Sequence, residues 1–314
     1  MKIKKKLLLL SCMTVVLITL YLTIGLNSRI LTYALSRRIP RIVAVITAGS
    51  SIALSTTIFQ TITHNRILTP SVMGLDALYT LWQTAIVFIF SSDSVLVHNL
   101  NLNFMVTVAL MICFAYLMFR LVLQRDPGNI YFLLLIGLIA GTLFQSLSSF
   151  MQMLIDPNEF MVLQGKLFAS FNSINLNVLT ISAVICGITW VYARRYYSTL
   201  DVLALGRDQA LNLGVNYDQV VWRLLVVVFI LVSVSTALVG PITFLGLLVV
   251  NLAWQFMPTY RHQTIVYTAF MLSMVALVGG QLLVERILNF AVPLSTLINL
   301  FGGLYFMKVL LKEK

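Results

Sequence analysis

The sequence predicts an all-α, polytopic membrane protein of about ten transmembrane helices, and three observations carry that expectation. Of 314 residues, 60% are hydrophobic and 10% charged, with a mean hydropathy of +0.96, far from the make-up of soluble domains. The apolar residues fall in runs of roughly 20, the length a helix needs to cross a bilayer. Basic residues gather at the ends of these runs, so the net charge of +11 reads as positive-inside bias and gives no reason to expect nucleic acid.

The first run, 7–26, follows MKIKKK and continues well past Cys12, so an uncleaved first helix is expected instead of a secretion signal. The second, 42–63, is rich in Gly, Ala, Ser and Thr, which let helices approach closely in lipid. HNRILTPSVMG follows as a Pro- and Gly-interrupted turn, and runs at 75–90 and 103–122 come next. The run at 131–153 holds Gly137 and Gly141 at GxxxG spacing, a packing motif. DPNEFMVLQGKLFASFNS, mixed polar and aromatic, suits a short helix lying across one mouth of the bundle.

A run at 175–193 precedes the polar stretch, and one at 220–239 ends where Gly240 and Pro241 break one helix and start the next, 243–257. Such breaks are tolerated where they line a protein-enclosed cavity. Runs at 264–284 and 293–311 complete ten. AGSSIALSTTIFQ in the second helix is similar to VSVSTALVGPITF in the seventh. Two halves of opposite direction, about 42–153 and 220–311, are therefore expected within one transmembrane domain, 1–314. Both termini then lie on the cytoplasmic side of a bacterial membrane. Only Arg29, Arg37, Arg38, Arg41, Lys166 and Arg286 among the 21 basic residues fall outside.

One stretch cannot lie in hydrocarbon. LDVLALGRDQALNLGVNY, 200–217, carries Asp201, Arg207, Asp208, Gln209, Asn212 and Asn216. Its helical pattern, Arg207 to Leu213, lies between Gly206 and Gly214, the latter placed as a left-handed cap. Ala204, Leu205, Ala210, Leu211 and Leu213 give it an apolar side, suited to docking into another protein.

Catalytic chemistry is absent from the pattern. There is no GxxxxGK[ST], HExxH or GxSxG. His64, His98 and His262 are far apart and read as interfacial, and Cys12, Cys113 and Cys186 lie singly inside apolar runs, so no metal set is expected. Asp76, Arg223 and the Glu285–Arg286 pair sit near helix ends, leaving no midplane ionisable group of the kind an ion-coupled carrier keeps. The energy source is then another subunit. Rival readings are a stand-alone secondary transporter, which needs such a group, and a membrane enzyme, which needs a convergent catalytic set.

Four stretches resemble the FecCD-type permeases, the membrane subunits of type II ATP-binding-cassette importers for iron siderophores, haem and vitamin B12. RIPRIVAVITAG (38–49) is similar to the start of the family's second helix and NRILTPSVMG (65–74) to its NPLADPxxLG. LALGRDQALNLGV (203–215) is similar to LxLGexxAxxLGV, and GPITFLGL (240–247) to GPIxFxGL. The resemblance spans about Ser36 to Lys312.

It implies the vitamin B12 permease architecture, with no catalytic residues and no cofactor. ATPase coupling is implied for Leu205, Gly206, Arg207, Asp208, Ala210, Leu213 and Gly214. Arg38, Arg41 and Arg286 would receive glutamates of an extracytoplasmic substrate-binding protein. Asn65 and Ile67 match a gate, with Gly240 and Pro241 as the helix break. Implied partners are ABC ATPase subunits, a second permease chain and membrane lipid. Departures fall at Arg66, in VNLAW (250–254), in GQLLVER (280–286) and in VPLS (292–295). The variant pattern is similar to permeases for catecholate or mixed-type siderophores, in which two different chains pair. Haem or cobalamin is the alternative cargo.

Overall fold

The computed structural model describes residues 2–24, 31–91, 94–123, 130–172 and 174–312. The expected end of the first helix at Leu26, and Arg29, lie outside these. All of the regular structure among the described residues is helical. Two ends of the bundle are fixed by contacts: Lys6 Nζ donates to Phe256 O at 2.7 Å at the lower end, and Arg41 faces Glu285 at 3.7 Å at the upper.

Helix α1 (Lys2–Thr23) rises and α2 (Leu31–Thr63) descends. Residues 64–69 fold back into the bundle to a 3-10 turn, Pro70–Met73, from which α3 (Leu75–Phe90) completes the ascent. A single turn, α4 (Val95–His98), leads into α5 (Leu100–Leu123) and α6 (Ile130–Leu154). Helix α7 (Pro157–Leu167) lies at the upper end, as its sequence suggests, with Pro157 at its first turn and Asp156 capping the Asn158 amide at 2.9 Å. Helix α8 (Leu176–Arg194) descends to α9 (Tyr197–Leu203) and α10 (Arg207–Asn212). Then α11 (Tyr217–Val239) rises, α12 (Leu245–Phe256) descends, α13 (His262–Arg286) rises and α14 (Leu294–Lys312) returns.

Among the described residues, ten apolar helices match the ten expected runs. Helices α3 and α12 are short, 16 and 12 residues, about 24 and 18 Å at 1.5 Å per residue, because each begins at a helix break inside the bundle. Antiparallel α2 and α11 form the centre. Leu54, Ile58 and Phe59 of α2 join Leu224, Val228 and Leu231 of α11 in one buried cluster, while Ala44, Ala48 and Ala53 meet α12 and α13 in another. Small residues set these approaches: Gly49 leaves room for Met274, and Gly246 lies against Thr56. The Gly137/Gly141 notch of α6 receives the backbone of Gly74, a packing role.

One boundary differs. Helix α2 begins at Leu31, not 42, so most of the expected outer loop NSRILTYALSRRIPR is helical, with Pro40 inside it. Adjacent arginines looked like solvated loop. On a helix, Arg38 and Arg41 share a face that meets α1 and α13, while Arg37 points outward.

Candidate functional site

At the lower end, α9 and α10 form a rigid connector. Gly206 (φ 109°) and Gly214 (φ 81°) take backbone angles that side-chain-bearing residues avoid, turning the chain sharply into and out of α10. The expected apolar side divides in two. Ala210 is fully buried in the cluster of Leu200, Leu203 and Tyr217, whereas Leu205, Leu211 and Leu213 are 59%, 44% and 62% exposed. The connector is thus seated by one small residue and presents three leucines outward. Arg207 is exposed, 3.9 Å from Asp218 and over the Tyr217 ring at 5.8 Å, and Asp208 is exposed in the first turn. Burial pushes the Tyr197 phenol at the base of α9 up to about 12, so it stays protonated.

The connector is bolted to the bundle through Asp201. Its Oδ1 accepts both the His262 backbone amide and His262 Nδ1, each at 2.7 Å, so an α9 carboxylate caps the start of α13. His262 Nε2 lies 2.9 Å from Thr61 Oγ1 on α2, and Trp254 of α12 packs edge-on to the imidazole at 5.6 Å. Four helices meet at this ring, which is fully buried. The reading of His262 as interfacial is therefore corrected: its hydrogen bonds to Asp201 and Thr61 permit burial, and neither partner was visible from sequence spacing.

The fold-back after α2 is stapled. Asn65 Oδ1 accepts the Ile67 amide at 2.9 Å, an Asx turn, and the Arg66 carbonyl accepts from Gln60 Nε2 at 2.7 Å and Asn251 Nδ2 at 2.9 Å. The Arg66 guanidinium stands over the Trp254 ring at 5.0 Å. Two departures from the family pattern, Arg66 and VNLAW, thus touch and hold each other.

The second break is at Gly240 (φ 93°), where a Cβ would stand 3.0 Å from the Ala169 backbone; Ser170 N donates to Val239 O at 2.9 Å. Pro241 follows, half-buried. Gly240→Val is expected to lower the thermal midpoint and the yield of monodisperse protein sharply, since the backbone angle alone costs about 1–3 kcal/mol and Ala169 must also move. A wild-type melting curve for that variant rejects the close approach.

Above the break lies a cavity of about 410 Å³ lined by Gln164, Phe168, Asn172, Gln281 and Phe290 among others. Among the polar residues toward this end, Gln152 is spent on Thr84 Oγ1 at 3.1 Å. Lys166 donates to Val97 O at 3.3 Å, and burial holds its ammonium below the usual lysine range.

The three upper arginines are not equivalent. Arg38 is 8% exposed and its NH1 donates to the carbonyls of Tyr21, Leu22 and Ile24 at 3.1, 2.9 and 2.9 Å, closing the C-terminus of α1. Its expected outward-facing role is not the placement found. Arg41 is half-buried beside Glu285, too far for a hydrogen bond, and donates to Asn172 O at 3.4 Å. Arg286 is exposed and donates to Ile24 O at 2.8 Å.

Comparison with known proteins gives concordant results. The petrobactin import system permease protein YclO of Bacillus subtilis (strain 168) is 52% identical over 313 residues, 100% of this chain and 99% of that protein. The petrobactin import system permease protein FatC of Bacillus anthracis is 37% identical, covering 88% of this chain and 78% of that protein. A solved structure described as an inward-facing conformation of a metal-chelate type ABC transporter superposes with a TM-score of 0.85 over 99% of both chains, at 23% identity. It shares the fold. The family model described as the FecCD transport family matches residues 7–312, and this chain belongs to that family.

Proposed function

We propose that this chain is the membrane permease subunit of an ATP-driven importer carrying a ferric siderophore, of the petrobactin kind for which its 52% identical relative is named. The observation that carries the importer reading is the connector: three exposed leucines on and flanking a six-residue helix, fixed to the bundle by a doubly used carboxylate. Such a surface transmits force from a partner outside the membrane.

In this reading the lower end is cytoplasmic, and Leu205 to Gly214 sit in a cleft of an ABC ATPase subunit. ATP-driven motion passes from α10 through α9 and Asp201 to His262, and so to α13 and, by Thr61, to α2. The stapled fold-back with Asn65 and Ile67 lies beside that path and gates it. Two permease chains, different ones by the family subgroup, enclose the route for cargo, with their termini on the cytoplasmic side. The chain performs no ATP chemistry itself.

The test is uptake of radiolabelled ferric petrobactin by proteoliposomes holding this chain, a partner permease, the ATPase and the binding protein. ATP-dependent uptake supports the reading. Uptake without ATPase points to a secondary carrier, and uptake of haem or cobalamin alone replaces the cargo.

At the upper end, Arg41 and Arg286 receive carboxylates of the binding protein, while Arg38 holds α1 beneath them. Joint Arg41→Glu and Arg286→Glu substitution is expected to weaken docking at least about tenfold, a loss of about 1.4 kcal/mol; unchanged binding by surface plasmon resonance removes the assignment. Glu285→Gln is expected to do the reverse, because it frees Arg41 from its 3.7 Å internal competitor.

A further inference from the structure

Asp76 sits at a helix end, as its sequence position suggests, but that end lies inside the bundle. Ser55 of α2 lines one small cavity together with Asp76, 14 residues below Arg41 and eight above Thr63, about 21 and 12 Å along the helix. Two interruptions of helical structure face one another there, Thr69–Ser71 before α3 and Gly240–Thr243 before α12. Between them is a cavity of about 20 Å³, room for one water-sized occupant.

Its walls are oxygen-rich and include one carboxyl group, that of Asp76. The Asp76 carboxylate accepts from Thr236 Oγ1 at 3.1 Å and from Ser71. It also occupies the first turn of α3, where the helix dipole favours an anion. No basic group among the described residues acts on it. Thr56 and Ser235 are each 2% exposed and line the same cavity, and neither hydroxyl has a hydrogen-bond partner among the described residues. A carboxylate away from water and without a cation is costly unless something neutralises it.

We propose that this cavity binds one monovalent cation of sodium size, ligated by the Asp76 carboxylate and the hydroxyl oxygens of Thr56, Ser71 and Ser235. Carbonyls released where helices are interrupted are the usual supplement to such ligands. A divalent ion fits poorly, since it takes six to eight oxygens or a strict octahedron and more negative charge. The ion joins the break before α3 to the break before α12, so its occupancy stabilises the arrangement in which those breaks touch. The proposal concerns this site alone and holds whatever the cargo.

The test is thermal unfolding of the purified chain, with its partner subunits, in NaCl, KCl or choline chloride at constant ionic strength. The midpoint is expected to rise saturably with sodium and not with choline, because a ligand that binds only the folded state stabilises it by mass action. Asp76→Asn is expected to abolish the response. The double variant Thr56→Val, Ser235→Ala, whose lost hydroxyls bond nothing else, is expected to raise the half-saturating sodium concentration about tenfold, which corresponds to about 1.4 kcal/mol. It decides the matter if Asp76→Asn does not fold. Equal midpoints in sodium and choline, a sodium response retained by Asp76→Asn, or unchanged half-saturation in the double variant overturns the site. So does an infrared band of a protonated Asp76 at pH 7 in sodium. ATP-driven uptake without any sodium response overturns the cation site only; an intact response without uptake overturns the importer reading only.

Discussion

With Leu205 and Leu213 both replaced by Asp, the chain is expected to fold normally and to lose ATP-driven uptake almost completely. The two side chains are 59% and 62% exposed, and surface substitutions of this kind usually change stability by no more than about 0.5 kcal/mol. In a partner's cleft each leucine would contribute about 1.5–3 kcal/mol of burial. Losing both, before any cost of burying the new carboxylates, predicts ATPase affinity falling by about two to four powers of ten. Co-purification of the ATPase and uptake by proteoliposomes measure the two effects. Ala210→Phe acts differently. Ala210 has no free surface, so the phenyl ring must lift α10 from Leu200, Leu203 and Tyr217, an overpacking cost of about 1–3 kcal/mol. ATP hydrolysis should continue while uptake falls. Full uptake by the double aspartate variant would remove α10 from the coupling role.

The ten-helix plan was legible because hydrocarbon imposes one rule on every residue of a crossing, so runs such as 220–239 need no tertiary information. The helix breaks were legible too, because Gly240–Pro241 announces itself chemically. Depth inside the bundle was not. Asp76 lies near the start of an apolar run whether that start is at the surface or halfway down, and only the fold-back of residues 64–69 decides between them. The arginines failed for a related reason. Arg38 and Arg41 are three residues apart with the same charge, yet one closes three carbonyls of α1 and the other faces Glu285. Long-range pairs such as Asp201 with His262, 61 residues apart, leave no periodic trace. One trace was present: Arg66 and VNLAW depart from the family pattern together, and Arg66 is held by Asn251 and Trp254.

Asp201→Ala is expected both to destabilise the chain and to uncouple it, and the two effects can be separated. Removing the carboxylate leaves His262 Nδ1 and the first amide of α13 without their 2.7 Å acceptor. Each buried orphan costs about 1–3 kcal/mol, so about 2–6 kcal/mol in all, read as a lower thermal midpoint. Asp201→Asn retains an acceptor oxygen and loses only the charge, which roughly halves such a bond, so its midpoint should lie between. For transmission the same substitutions matter in another way, because α9 is then no longer fixed to α13: ATPase activity should persist while uptake drops at least about tenfold, or 1.4 kcal/mol. The double variant Asp201→Ala, His262→Leu removes both polar partners together, so part of the lost stability should return as a non-additive term. Recovery of the midpoint without recovery of uptake assigns the tether to force transmission. Recovery of both would reduce it to a device that only keeps the lower end folded, and the coupling route would have to run elsewhere.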